Sequence, residues 1–206
     1  MTGAASRHET QPRVPPDPSD PAGGDGLAEA LAGPDRVLTL EEWAAALGGL
    51  RYVELALFEL LGRAALGGAG PGDAGPGGAG PGGAGYASWA GGASLQAAWR
   101  AEQIERLLPV SVGLPPAGEV TVAPSEQVAS ALEALGLLSG PELAAKVGAT
   151  WYPALLAAYR RRSEALSEAA DGPHGLVLVR VIADLEAAAS HLADLPRRAP
   201  GPCEGA

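Results

Sequence analysis

The chain has 206 residues, of which 30 are glycine and 19 are proline, a proportion typical of proteins with low-complexity segments. Its formal net charge is −10 and Lys146 is its one lysine, so the sequence predicts no nucleic-acid binding, which needs clustered cations. The arginine run 160–162 is interpreted as the solvated end of a helix. A single cysteine, Cys203, excludes an intramolecular disulfide bond and a thiolate zinc site.

The sequence also predicts a cytoplasmic protein with no membrane segment. The first twenty residues contain no apolar run, so no signal peptide is expected. The most apolar long stretch, residues 52–66, is interrupted by Glu54, Glu59 and Arg63. A transmembrane helix needs about 20 largely apolar residues.

Residues 1–36 are rich in Pro, Asp and Gly and predict a disordered arm, with at most a short helix around 27–31. Thr39 and Glu42 form a capping-box pattern, in which each side chain bonds to the other residue's backbone N–H group. The helix that begins there runs to about Leu66, since apolar residues recur at helical spacing.

A Gly/Ala/Pro-rich stretch follows and is predicted to be a flexible insertion over residues 67–92. Its repeat has a period of five residues, so the three-residue period of collagen is absent. A second helix is predicted over 94–108 and ends at Pro109. A long connection, 110–123, leads to a short amphipathic helix over 125–135.

Ser139 and Glu142 form a second capping-box pattern, which opens a helix that reaches about residue 170 and is kinked by Pro153. Residues 171–173 (DGP) predict a tight turn into a last helix, about 174–195. Its segment 176–182 has the composition of a buried strand, but its apolar residues continue at helical spacing, which favours a helix. Residues 196–206 are predicted to be a disordered tail.

These elements predict an all-α fold over residues 37–195, in which two helical hairpins are joined by a long crossover that carries a short helix. That is the connectivity of ferritin-like antiparallel four-helix bundles. The helices also resemble those of actinobacterial ferritin-like domain proteins. The resemblance is carried by the segments LRYVEL (50–55), AWRAE (98–102), WYPALLAAYR (151–160) and VIAD (181–184).

The resemblance implies a di-iron or di-manganese site, built from one glutamate on each of two helices and Glu-x-x-His on the other two. Glu54, Glu102 and Glu186 match ligand positions and are the candidate metal ligands. Both histidines and one acid of the pattern are missing, because Glu105 and Ala189 stand where histidines are needed. The sequence therefore predicts an incomplete di-metal site.

Glu54 is the strongest candidate because it lies within the apolar stripe of its helix, where an unpaired carboxylate costs several kcal/mol. A metal ion would compensate its charge, but we favour pairing with Arg100 or another basic group. His8 falls in the predicted arm and His174 at the predicted turn. Asp184 and His191, two turns apart, are interpreted as a surface coincidence.

The sequence thus predicts a degenerate ferritin-like bundle that acts as a binding or interaction module for a protein or an apolar small molecule. The alternative is a metal-dependent oxidoreductase with a carboxylate-only site for iron or manganese. A homo-oligomeric assembly remains a third alternative. No nucleophile–base pair can be assigned, so the sequence does not decide whether the chain is an enzyme.

Overall fold

The computed structural model describes residues 22–34, 36–67, 81–166 and 168–198, and all of the regular secondary structure in these ranges is helical. The predicted all-α class is therefore confirmed. The helices are α1 (Ala22–Ala32), α2 (Leu40–Ala65), α3 (Pro81–Glu105), α4 (Ala117–Val120), α5 (Glu126–Leu135), α6 (Gly140–Lys146), α7 (Tyr152–Glu164) and α8 (Glu168–Arg198), with a π-helical turn, Val147–Trp151, between α6 and α7.

Helix α2 begins at the predicted capping box. The Thr39 hydroxyl oxygen accepts from the Glu42 backbone N–H at 3.2 Å, and the Thr39 N–H donates to Glu42 Oε2 at 2.9 Å. Arg36 donates to the same carboxylate, and this hydrogen bond is the largest cause that lowers the pKa of Glu42 to about 2. The start of α2 is therefore defined by local side-chain chemistry.

Helix α3 begins earlier than the sequence predicts. The insertion expected over 67–92 is helical from Pro81 onward, while residues 68–80 lie outside the described ranges. Trp89, Ala90 and Ala93 in this part of α3 are buried. Because their apolar surface is removed from water by α2 and α8, tertiary packing stabilises a helix in a segment whose glycines disfavour it.

The second capping box is not formed, although α6 begins where it was predicted. The Ser139 side chain makes no capping hydrogen bond, since the chain enters the helix through Gly140 with φ +49°. Helical structure then continues through the π-helical turn into α7, where the Tyr152 N–H donates to the Val147 carbonyl. Pro153 follows immediately, so the irregular turn precedes the residue that lacks an N–H.

The turn between α7 and α8 lies before the predicted position. Helix α7 ends at Glu164 rather than near 170, and α8 begins at Glu168, so residues 171–173 are helical. Pro173 falls within the first two turns of α8, where its missing N–H removes at most one intrahelical bond. Segment 176–182 is helical as predicted.

Helix α1 packs against α7, although its residues fall within the predicted arm. Leu27 and Leu31 are buried, and two arginines of α7 bind the carbonyls at the end of α1. Arg161 Nη1 donates to the Gly33 carbonyl at 3.0 Å, and Arg162 Nη2 donates to the Ala32 carbonyl. Arg162 is 1% exposed, so the interpretation of 160–162 as a solvated helix end is wrong for this residue.

The contacts between helices define their directions. Glu54 faces Arg100 and Arg51 faces Glu105, so α2 and α3 are antiparallel. Arg100 faces Asp184, and a groove lined by Gly92 and His191 lies further along the same pair, so α3 and α8 are antiparallel.

Helices α7 and α8 are also antiparallel. Arg160 bonds to Glu186, and Gly148, on the N-terminal side of α7, lies against Leu192. Helices α3 and α7 therefore run in the same direction, and the connection between them must return along the length of both.

This returning connection carries α4 and α5 and passes directly over α2. A Cβ atom at Gly48 would lie 2.0 Å from the Val120 carbonyl oxygen, so only glycine permits the approach. None of the helices in the described residues is long and apolar enough to cross a membrane.

Candidate functional site: a buried charged cluster

A cluster of charged and hydroxyl side chains lies inside the packed helices, with Glu54 of α2 at its centre. Glu54 is 0% exposed, as its position in the apolar stripe predicts. Its Oε1 atom accepts two hydrogen bonds, from Arg100 Nε at 2.9 Å and from the Tyr159 hydroxyl at 2.8 Å. The charge of the carboxylate is therefore compensated by a guanidinium group, which is the pairing favoured from the sequence.

Arg100 joins three helices. Its side chain is 0% exposed on α3, and its Nη1 atom donates to Asp184 Oδ2 of α8 at 2.7 Å. Burial alone lowers the pKa of a guanidinium, but the Glu54 carboxylate more than offsets this effect, so the pKa of Arg100 is raised. Arg100 is therefore a permanent cation between carboxylates of α2 and α8.

Two tyrosines of α7 complete the cluster. Tyr152 and Tyr159 are seven residues apart, two helical turns, and so lie on one face of the helix. Burial, followed by the Glu54 charge, raises the pKa of Tyr159 well above its usual value. Burial also raises the pKa of Tyr152 to about 12, with smaller effects from Arg100, Glu54 and Asp184. Both phenols therefore stay protonated at neutral pH.

Asp184 lies at the edge of the cluster, where its side chain is 23% exposed. The cluster thus approaches solvent along α8 but is closed at Glu54 and Arg100. One cation and two acidic side chains form a linked set that ties α2, α3 and α8 together, with Tyr159 adding α7. Such a set fixes the register of packed helices.

The three predicted metal ligands do not come together. Glu54 is buried, whereas the side chains of Glu102 and Glu186 are 57% and 49% exposed. Glu102 pairs with Arg106 one turn along α3, and Glu186 accepts from Arg160 Nη2 at 2.6 Å. In the described ranges, no three or more His, Cys, Asp or Glu residues are grouped so that they could hold a metal ion. These carboxylates therefore do not fit the di-metal site that the resemblance implies.

The histidines lie away from the cluster. His8 is outside the described ranges, and His174 is half-buried in the first part of α8. His191 is exposed and lines a groove of about 440 Å³ with Ser88, Trp89 and Gln96 of α3. Asp184, in contrast, is a member of the charged cluster through Arg100, so its interpretation as a surface coincidence with His191 is incomplete.

A second, more apolar groove lies beside the connection that follows α3. Its lining includes Leu108, Leu114 and Val120, and its volume is about 430 Å³. Small-molecule sites in proteins have volumes of about 300–1,000 Å³ and mainly apolar walls. The groove is therefore of a size that suits a small apolar ligand.

The sequence analysis missed Tyr152, Tyr159 and the role of Asp184, because they come from helices that are distant along the chain. One signal was available for Arg100. Arg100 shares a helix face with Ala97, Ala101 and Ile104, which are all buried. An arginine therefore occupies a position that the helical pattern assigns to the interior.

Comparison of the chain with models of known protein families, with curated proteins and with solved structures gives no match.

Proposed function

We propose that this chain is a degenerate ferritin-like helical bundle, in which an arginine takes the central place of a metal ion and which acts as an interaction module. The helix directions support the topology. Helices α2 and α3 are antiparallel, α7 and α8 are antiparallel, and the α3–α7 connection returns along the bundle. A single long crossover of this kind is the connectivity of ferritin-like folds.

The observation that carries the proposal is the buried pair of Glu54 and Arg100, both 0% exposed. A carboxylate in an apolar interior requires a compensating charge, and here the guanidinium of Arg100 supplies it. A metal ion bound to Glu54 would lie close to the Arg100 guanidinium, because Arg100 Nε already donates to the same carboxylate at 2.9 Å. The repulsion between the two cations disfavours metal binding.

Elemental analysis of the purified chain, after anaerobic reconstitution with iron or manganese, tests this part of the proposal. We expect no tightly held metal, with the helical circular dichroism spectrum unchanged. Stoichiometric metal that is lost in Glu54→Gln would instead favour the alternative, a metal-dependent oxidoreductase. Glu133→Gln is the matched control, because it removes an exposed glutamate of α5 that is not a candidate ligand and leaves the cluster intact.

An apolar strip on the exterior of α2 and α3 supports the interaction role. Phe58, Leu95 and Trp99 are 39%, 71% and 37% exposed. Leu95 and Trp99 are four residues apart on α3 and share a face of the helix, and Ser94 Oγ, next to Leu95, donates to the Phe58 carbonyl of α2 at 2.8 Å. Contiguous apolar surface of this kind marks protein interaction sites, and aromatic side chains are enriched among the residues that dominate binding. We assign a protein partner to this strip.

Self-association is the simplest form of that role to measure. Light scattering should show an assembly that Leu95→Glu dissociates, while Leu176→Glu on α8, an equally exposed leucine at 69%, leaves it intact. A monomer in the wild-type chain would exclude a second copy as the partner. The groove beside Leu114 would then be the site to probe with apolar small molecules.

A further inference from the structure

Three polar atoms of the buried cluster have no hydrogen-bond partner among the described residues. They are Glu54 Oε2, Arg100 Nη2 and the Tyr152 hydroxyl oxygen. Nearly all buried polar groups in native proteins are hydrogen-bonded to protein or to ordered water, because a group left unsatisfied loses its hydration without a replacement. Three such atoms within one cluster therefore point to a bound molecule.

The covalent geometry brings two of these atoms to one side of the ion pair. In a guanidinium, Nε–H and one N–H of Nη2 point in the same direction along one edge. This edge donates both hydrogen bonds when an arginine binds a carboxylate in the bidentate mode. Here Nε bonds to Glu54 Oε1 and Nη2 does not bond to Oε2. The carboxylate is thus held through one oxygen, and the second oxygen and Nη2 adjoin the same space.

Tyr152 of α7 carries the third unpartnered atom. It lies two turns before Tyr159, whose hydroxyl donates to the same Glu54 carboxylate. After burial, the charges of Arg100, Glu54 and Asp184 are the next influences on the pKa of the Tyr152 phenol. Tyr152 is the first residue of α7 and follows directly on the π-helical turn that ends at Trp151.

The charges of the cluster define what can bind. Two acidic side chains disfavour an anion, and the Arg100 cation disfavours a second cation. A neutral molecule that both donates and accepts fits: it accepts from Arg100 Nη2, donates to Glu54 Oε2, and takes either role with the Tyr152 hydroxyl.

We propose that the cluster binds one buried water molecule, which is hydrogen-bonded to Glu54 Oε2, Arg100 Nη2 and the Tyr152 hydroxyl. Three polar partners are what a typical buried water has. The partly exposed Asp184 side chain provides the edge along which it exchanges with solvent. The site goes beyond the proposed interaction role and does not depend on it.

A crystal structure of the full chain tests the site directly. The expected result is a density peak within hydrogen-bond distance of all three atoms. The proposal is overturned if Arg100 Nη2 instead bonds directly to Glu54 Oε2 and no peak is present.

Magnetic relaxation dispersion of water oxygen-17 provides a second test in solution. Tyr152→Phe should remove about one long-lived internal water per chain, because it deletes one of three partners. Tyr159→Phe is the matched control, since its hydroxyl already bonds to Glu54 Oε1, and it should retain that water. An equal count of internal waters in the wild-type chain and Tyr152→Phe would contradict the proposal.

Discussion

Two ion pairs of similar chemistry lie at α3 and at the turn that follows it, and their surroundings differ completely. Arg100 pairs with Glu54 where both side chains are 0% exposed, whereas Arg106 pairs with Glu102 where they are 62% and 57% exposed. The interior pair links different helices, whereas the exterior pair joins Glu102 of α3 to Arg106, four residues later and just beyond the end of the same helix. The comparison shows that removal from water, rather than the presence of an ion pair, determines what each contributes.

The interior pair is also part of a larger set, which makes the contrast stronger. Glu54 accepts from Tyr159, and Arg100 donates to Asp184, so a change at one residue leaves several groups without partners. On the exterior, water replaces any lost partner at once. Variants of the interior pair should therefore lose more stability than variants of the exterior pair.

The largest effect is expected for Arg100→Met. It leaves the Glu54 carboxylate buried without its cation, and breaking one side of a buried pair lowers the free energy of unfolding by about 3–5 kcal/mol. Urea unfolding followed by circular dichroism measures the loss. The double variant Glu54→Gln with Arg100→Met should recover part of it, because no unpaired charge remains. A loss for Arg100→Met no larger than that of an exposed pair would contradict this account.

A second effect concerns the buried tyrosines at alkaline pH. The pKa of Tyr152 is raised to about 12 and that of Tyr159 is also raised, whereas unfolded tyrosine ionises near 10. Above about pH 10 the unfolded chain loses protons that the folded chain keeps, so the free energy of unfolding decreases as pH rises toward 12. For Tyr152 alone this amounts to about 3 kcal/mol at most.

The alkaline effect is measured by urea unfolding across this pH range, with absorbance reporting tyrosine ionisation. Tyr152→Phe should flatten the decrease, because it removes one of the two groups whose pKa folding raises. Ionisation of Tyr152 and Tyr159 near pH 10, without unfolding, would show that the cluster is open to solvent.

A third effect, of about 1–3 kcal/mol, is expected at the contact between α7 and α1. Arg162→Met leaves the buried Ala32 carbonyl without its donor, which costs the desolvation of that group. Hydrogen exchange should then increase in α1 before it increases in α2. The control is Arg160→Met, because Arg160 is exposed and its loss should change stability by no more than about 0.5 kcal/mol.

The smallest effect belongs to the exterior pair. Glu102→Gln should lower the free energy of unfolding by no more than about 0.5 kcal/mol, and less at high salt, because exposed pairs within a helix contribute little. Urea unfolding at low and high salt measures it. A loss close to that of Arg100→Met would mean that burial is not what separates the two pairs.

Much of this contrast could be predicted from the sequence, because it depends on local periodicity. The apolar stripe around Glu54 predicts its burial, and the same pattern predicts the long helices and the start of α2 at Thr39. Arg100 could be named as a partner because a buried carboxylate requires a cation. The predictions of burial and of helices need only the neighbours within two turns, whereas the Arg100 pairing also needs the charge requirement of the buried carboxylate.

The remaining features depend on contacts between distant segments. The early start of α3 at Pro81 reflects burial of Trp89, which overrides the low helix propensity of the surrounding glycines. The failed capping at Ser139 follows from the backbone at Gly140, and the role of Arg162 follows from the docking of α1. Periodicity in one segment contains no information about which residues of another segment it meets.

The measurement that tests the central claim most directly is the unfolding midpoint of the wild-type chain with and without excess iron(II) or manganese(II). A ligand that binds only the folded chain raises the free energy of unfolding in proportion to the logarithm of its excess over the dissociation constant. If Arg100 already compensates Glu54, neither metal should shift the midpoint. A shift that grows with metal concentration and disappears in Glu54→Gln would contradict the claim that arginine has taken the place of the metal.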